Sequence, residues 1–162
     1  MSRYLITLEL TEHFAEHCAK FLQKYNTHQQ RWLPPHITLI PPTEGMLTPA
    51  QLKSLHELHF NMEVHGIGWG SFQRDGNNIM YVMPHGDGMI ELWHQVAKIV
   101  GQGVHQSTQA PQFHITVAKG IPNAEWSALQ QKIVKEDPRG TCRINHVTVM
   151  SWDAAANNWK IE

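Results

Sequence analysis

Read for the spacing of apolar positions, the chain alternates short strand-like runs with amphipathic helical stretches. Residues 4–10 are rich in apolar and β-favouring side chains and predict a strand. Behind Thr11, a candidate cap, Phe14, Cys18, Phe21, Leu22 and Tyr25 recur at helical spacing. Pro34 and Pro35 force extended backbone into a strand at 36–40, and Pro41-Pro42 is expected to close it. Thr48-Pro49-Ala50-Gln51 is a helix start, with a threonine cap, proline at the first position and glutamine at the third. Leu52, Leu55 and Leu58 continue it. Strands at 62–72 and 79–83 follow, joined by the turn Arg74-Asp75-Gly76-Asn77-Asn78.

The second half repeats this plan. Asp87 is a candidate cap for a helix with Met89, Leu92, Trp93, Val96 and Val100 on one face, ended by Gly101 and Gly103. A polar loop leads to a strand around His114. Asn123 opens another helix with Trp126, Leu129, Ile133 and Val134 inward, stopped at Asp137-Pro138. Residues 142–152 and 159–161 predict a closing strand pair. The dipeptides Ser71-Phe72 and Asn77-Asn78 recur 80 positions later as Ser151-Trp152 and Asn157-Asn158. Element order and these matches point to an internal duplication, which tends to pack about a pseudo-two-fold axis.

Within the repeat stand two near copies, Pro35-His36-Ile37-Thr38-Leu39 and Phe113-His114-Ile115-Thr116-Val117, with histidines at 36 and 114, 78 positions apart. On a strand, residues i and i+2 share a face, so each copy presents His and Thr together and turns its branched residues to a core. The chain has twelve histidines, so on the order of one such pair is expected by chance. A third copy does occur, His146-Val147-Thr148. It lies in the strand matching 62–72, opposite Gly66, so it reads as an ordinary strand histidine.

Composition narrows the chemistry. At 162 residues, 41% hydrophobic and 17% charged, the chain suits one soluble domain of two lobes spanning 1–162. A net charge of −1 argues against a long nucleic-acid track. Cys18 and Cys142 show no metal-type spacing, so free thiols in a reducing cytoplasm are expected. No signal peptide or membrane span is evident. Histidine titrates near neutrality, so one imidazole can accept a proton from water while another donates to a leaving oxygen. Thr38 and Thr116 hydroxyls can donate to non-bridging phosphate oxygens. The scheme requires no metal or cofactor.

The paired His-x-Thr motifs in a duplicated α+β unit resemble the two-histidine (2H) phosphoesterase superfamily. The nearest-looking branch is the bacterial 2′-5′ RNA ligase and 2′,3′-cyclic phosphodiesterase group. The resemblance covers nearly the whole chain. It implies a bilobal α+β fold, with two antiparallel sheets lining a central cleft and helices packed outside. It implies metal-independent chemistry on 2′,3′-cyclic phosphates or 2′-5′ linkages of nucleotides or RNA ends. His36 and His114 would be the acid–base pair and Thr38 and Thr116 the phosphate holders. Lys119 stands where the family often has a basic residue, five positions after the second histidine. The sequence leaves open which histidine is acid; the family pattern would turn His36 to the leaving 3′ oxygen. Unlike members acting on structured RNA, the chain is not distinctly basic, with Arg31, Arg74, Lys119, Arg139 and Arg143 scattered. A small nucleotide or short RNA end is the expected partner, with no membrane, and a monomer is expected. Trp32, Trp69 and Phe72 are candidates for stacking on a base.

Two other readings compete. His13-Phe14-Ala15-Glu16-His17 matches the H-x-x-E-H zinc pattern on a predicted helix. His56 and His59 form a weaker pair of the same kind. A non-catalytic nucleotide- or RNA-binding module with the same cleft is the other.

Overall fold

The computed structural model describes residues 2–29, 33–101 and 111–162. Its elements run β1 (Arg3–Glu9), α1 (Glu12–Tyr25), β2 (His36–Glu44), α2 (Pro49–His56), β3 (Met62–Phe72), β4 (Asn78–His85), α3 (Met89–Val100), β5 (Ile115–Ile121), α4 (Asn123–Ile133), β6 (Gly140–Ile144), β7 (Thr148–Asp153) and β8 (Asn158–Ile161). The strands form two antiparallel four-stranded sheets, ordered β2-β1-β7-β8 and β5-β4-β3-β6. This is the two-lobed α+β arrangement expected. No helix among the described residues is long and apolar enough to cross a membrane.

The two sheets are built alike, and each borrows from the other half of the chain. Strand β3, from the first half, pairs with β4; β7, from the second half, pairs with β1. Helix α1 packs on β5 and β6 of the second sheet, whereas α3 lies against β2 of the first. The predicted apolar faces of both helices are the ones buried. Phe14 of α1 beds on a glycine pair, Gly66 opposite Gly140. A Cβ at Gly66 would stand 2.8 Å from Phe14 Cζ, and one at Gly140 would overlap the same ring. Cys18 and Cys142 are free and buried between α1 and β6, and burial pushes the Cys18 thiol up to about 12.

Several expectations are corrected. Strand β2 does not stop at Pro41-Pro42 but runs through them to Glu44. It is an edge strand with a register shift there, Tyr4 facing Thr43 and Ile6 facing Ile40, and an edge bulge needs no donor from proline. The run at 142–152 is two strands, because the chain crosses from the second sheet to the first at 145–147. His146 therefore sits in a bend, exposed, beside Asn145 Oδ1 at 2.9 Å. The N-cap of helix α3 is Gly88, in the left-handed region (φ 85°) that suits glycine, one residue after the expected Asp87, and no side chain caps the helix. Val134 lies at the C-cap of α4, half exposed instead of inward. The capping box at Thr48 and Gln51 forms as expected.

Register also sets the offset of the repeat. Thr7 faces Thr38 on one side and Thr148 on the other; Tyr81 faces Thr116 and Gly70 in the same way. Thr148 thus corresponds to Gly70, 78 positions apart, the same interval as the histidines. Within the hairpins the interval is 80, since Ser71 faces Met80 and Phe72 faces Ile79 as Ser151 faces Lys160 and Trp152 faces Trp159.

Candidate active site

Strands β2 and β5 are the edge strands of their sheets, and they lie next to each other. His36 is the first residue of β2, and His114 immediately precedes β5. Each ring is fixed in the same way. Nδ1 of His36 is 2.7 Å from the carbonyl of Pro34, and Nδ1 of His114 is 2.9 Å from that of Gln112. A carbonyl only accepts, so Nδ1 donates in both, leaving Nε2 as the atom that can take or give a proton. The extended backbone that proline imposes before His36 places the carbonyl two residues back within reach. Leu10 N donates to Pro35 O at 3.0 Å and ties that segment down. On the other side Gln112 Nε2 donates to the Tyr81 hydroxyl at 2.7 Å.

Past each threonine both strands carry the same irregularity. The register of β1 with β2 shifts between Thr7–Thr38 and Ile6–Ile40; that of β4 with β5 shifts between Tyr81–Thr116 and Met80–Ala118. As a result two consecutive residues, Leu39 and Ile40 or Val117 and Ala118, are fully buried in the core. The bulge reverses the alternation, so the next residue returns to the face of His and Thr. In β5 that residue is Lys119; in β2 it is Pro41. Lys119 is exposed, and its ammonium acts on His36 in the opposite lobe.

Both imidazoles are half-buried and both are held below the usual histidine value of 6.5. For His36 the main cause is burial, opposed by the Pro34 bond, with the charges of His114 and Lys119 adding to the lowering. For His114 burial again leads, opposed by the Gln112 bond, and the Arg74 charge adds to the lowering. The neutral form of each ring is thus favoured.

The walls behind the two histidines differ. Opposite Thr116 stands Tyr81, whose ring lies 5.4 Å from His114 and 4.7 Å from Phe72; Phe72 meets His114 edge-on at 5.0 Å. A Cβ at Gly70 would overlap the Tyr81 ring, so that glycine makes the bed for it. The corresponding row in the first lobe is Thr38, Thr7 and Thr148. Thr7 is fully buried, and its hydroxyl has no hydrogen-bond partner among the described residues. Sequence reading missed Tyr81, Gln112 and Thr7. The alternating glycines at 66, 68 and 70 were the available sign of a close approach to that strand.

The other candidates lie elsewhere. His17 Nε2 is 2.6 Å from the Asp137 carbonyl and donates to it, and His13 turns to Glu16 in solvent. Among the described residues no three His, Cys, Asp or Glu side chains gather as metal ligands. His56 and His59 are exposed. Trp69 packs on Phe21 of α1 and donates to the Glu136 carbonyl, away from the histidines. Arg139 pairs with Asp137 and Arg143 with Glu63. Of the named basic and aromatic residues, Arg74, Lys119 and Phe72 come to the pair; Arg31 and Trp32 lie outside the described residues.

Two imidazole Nε2 atoms, two threonines and one ammonium from adjoining strands suit an oxyanion with a bond to break. No curated protein matches the chain. The family model described as the 2′-5′ RNA ligase superfamily matches residues 10–156, a stretch holding both histidine–threonine pairs and Lys119, and the chain belongs to that two-histidine phosphoesterase superfamily.

Proposed function

We propose that the protein is a phosphodiesterase acting on 2′,3′-cyclic phosphates or 2′-5′ linkages of nucleotides or RNA ends, with His36 and His114 as its acid–base pair. The observation that carries this is the matched donation of each Nδ1 to the carbonyl two residues back, on the two edge strands that meet. It supports reading the two rings as equivalent proton carriers, one from each lobe. In the hydrolytic direction one Nε2 takes a proton from water as the water oxygen bonds to phosphorus. The other Nε2, protonated, gives its proton to the 3′ oxygen as the P–O bond breaks. The product is a 2′-phosphate, and the pair has exchanged its protonation state. Thr38, Thr116 and Lys119 hold the non-bridging oxygens as charge gathers there. When a 5′ hydroxyl takes the place of water, the same two transfers form its bond to phosphorus and release the 3′ oxygen as a hydroxyl, leaving a 2′-5′ linkage; ligation and its reversal would use the same site. One chain supplies both halves, so residues 1–162 act as one domain and as a monomer.

The test is turnover of a 2′,3′-cyclic nucleotide panel, extended to 2′-5′-linked oligonucleotides and RNA with a cyclic end. His36→Asn and His114→Asn should each lower kcat/KM by about 10²-fold or more. Thermal unfolding should move by only a few degrees, as expected for half-buried polar positions, on the order of ±0.5 kcal/mol. Full turnover in either variant overturns the assignment. Nucleotide binding by the wild type without turnover of any substrate makes the cleft a binding module.

A further inference from the structure

The turn between β3 and β4 is braced more heavily than a surface turn requires. Asn78 is fully buried, and its Nδ2 donates to the Ile121 carbonyl at 2.9 Å and to Asn123 Oδ1 at 3.0 Å. Asn123 Oδ1 also accepts from Gly76 N at 3.1 Å. Asn78 Oδ1 accepts from the backbone N–H of Arg74 at 2.9 Å, and the Arg74 carbonyl accepts from Asn77 N at 3.0 Å. The residue so fixed is Arg74. Its guanidinium lies 5.3 Å from the centre of the Phe72 ring, and Phe72 meets His114 edge-on at 5.0 Å.

Stacking uses the flat face of a guanidinium and leaves its in-plane N–H donors free. Among the described residues Arg74 makes no ion pair. The nearest acid in sequence, Asp75, is instead taken by Asn123 Nδ2 at 2.6 Å. In the matching hairpin of the first sheet Trp152 faces Trp159 as Phe72 faces Ile79, and the position matching Arg74 is Ala154, so the first lobe has no cation there. The cation therefore serves one side of the site only.

We propose that Arg74 binds a second phosphate of the substrate, the 5′-phosphate of the nucleoside whose 2′,3′-phosphate reacts at the histidines. This rests on the function proposed above and deepens it: the preferred substrate is an RNA end or a nucleoside 5′-phosphate bearing the cyclic group, in preference to a free nucleoside cyclic phosphate. A planar fork of donors matches a phosphate better than it matches a ribose or a neutral base edge.

The experiment reads binding separately from turnover. Dissociation constants are measured by calorimetry for adenosine 2′-phosphate and adenosine 2′,5′-bisphosphate, with wild type, Arg74→Gln and Arg74→Lys. The wild type should bind the bisphosphate about tenfold more tightly, Arg74→Gln should bring the ratio near one, and Arg74→Lys should keep part of it. Wild-type protein that binds the two alike, or binds neither, overturns the proposal, as does a ratio that survives Arg74→Gln. A tenfold ratio lost in Arg74→Gln, found in a protein that turns over no cyclic phosphate, supports the subsite and sinks the phosphodiesterase assignment alone.

Discussion

The neutral form of each histidine of the pair is favoured, which constrains how an acid is made. Burial lowers both values from 6.5, with the charges of His114 and Lys119 adding to the lowering at His36 and that of Arg74 at His114. A general acid then forms only at lower pH or when a bound phosphate supplies negative charge beside Nε2. We expect kcat/KM, which reports the free protein, to be bell-shaped with its centre below pH 6.5. The profile of kcat should sit at higher pH, because bound phosphate raises the value of the ring that holds the proton. A kcat/KM optimum above pH 7 would count against this. At this scale the two histidines and threonines were legible from their doubled spacing. Tyr81, Thr7 and Gln112 were not, because their part in the site depends on register between strands, which no local pattern states. Lys119 was legible only by family resemblance; its reason is the bulge at Val117 and Ala118.

Among the elements, β3 decides the shape of the wall behind His114. Its Gly70 leaves room for the Tyr81 ring, so Gly70→Ala should push that ring toward His114. Overpacking of this kind costs about 1–3 kcal/mol, read as a lower urea midpoint, and kcat/KM should fall as well. Thr48→Ala is the comparison, since its capping box lies on α2. It should cost about 1 kcal/mol and leave kcat/KM unchanged. Equal losses of activity in the two variants would tie the effect to stability and not to the wall. The apolar faces of α1 and α3 and the capping box of α2 were readable because each is a local signal. The break at 145–147 was not, since the run from 142 to 152 holds no glycine or proline. The chain divides there because two different sheets claim its ends.

For the molecule as a whole, the same lowered histidines make stability depend on pH. Between the folded and unfolded values the unfolded chain binds more protons, so stability rises with pH across that window and is lost as pH falls below 6.5. The urea midpoint should therefore drop from pH 7.5 to pH 5.5, and the drop should be smaller in the double variant His36→Asn with His114→Asn. An identical drop would mean that other groups carry the acid sensitivity. Two-fold architecture was legible from the repeated order of elements, but the exchange of β3 and β7 between sheets was not.

That exchange has a consequence for how the two halves can differ. In a symmetric pair of identical chains every substitution is made twice, once in each half-site. Here the halves are interleaved in one chain, so each position is set by itself. Lys119 can stand where the other half has Pro41, and Tyr81 where it has Thr7. A site made of two similar but separately set halves can therefore tell the two ends of a ligand apart.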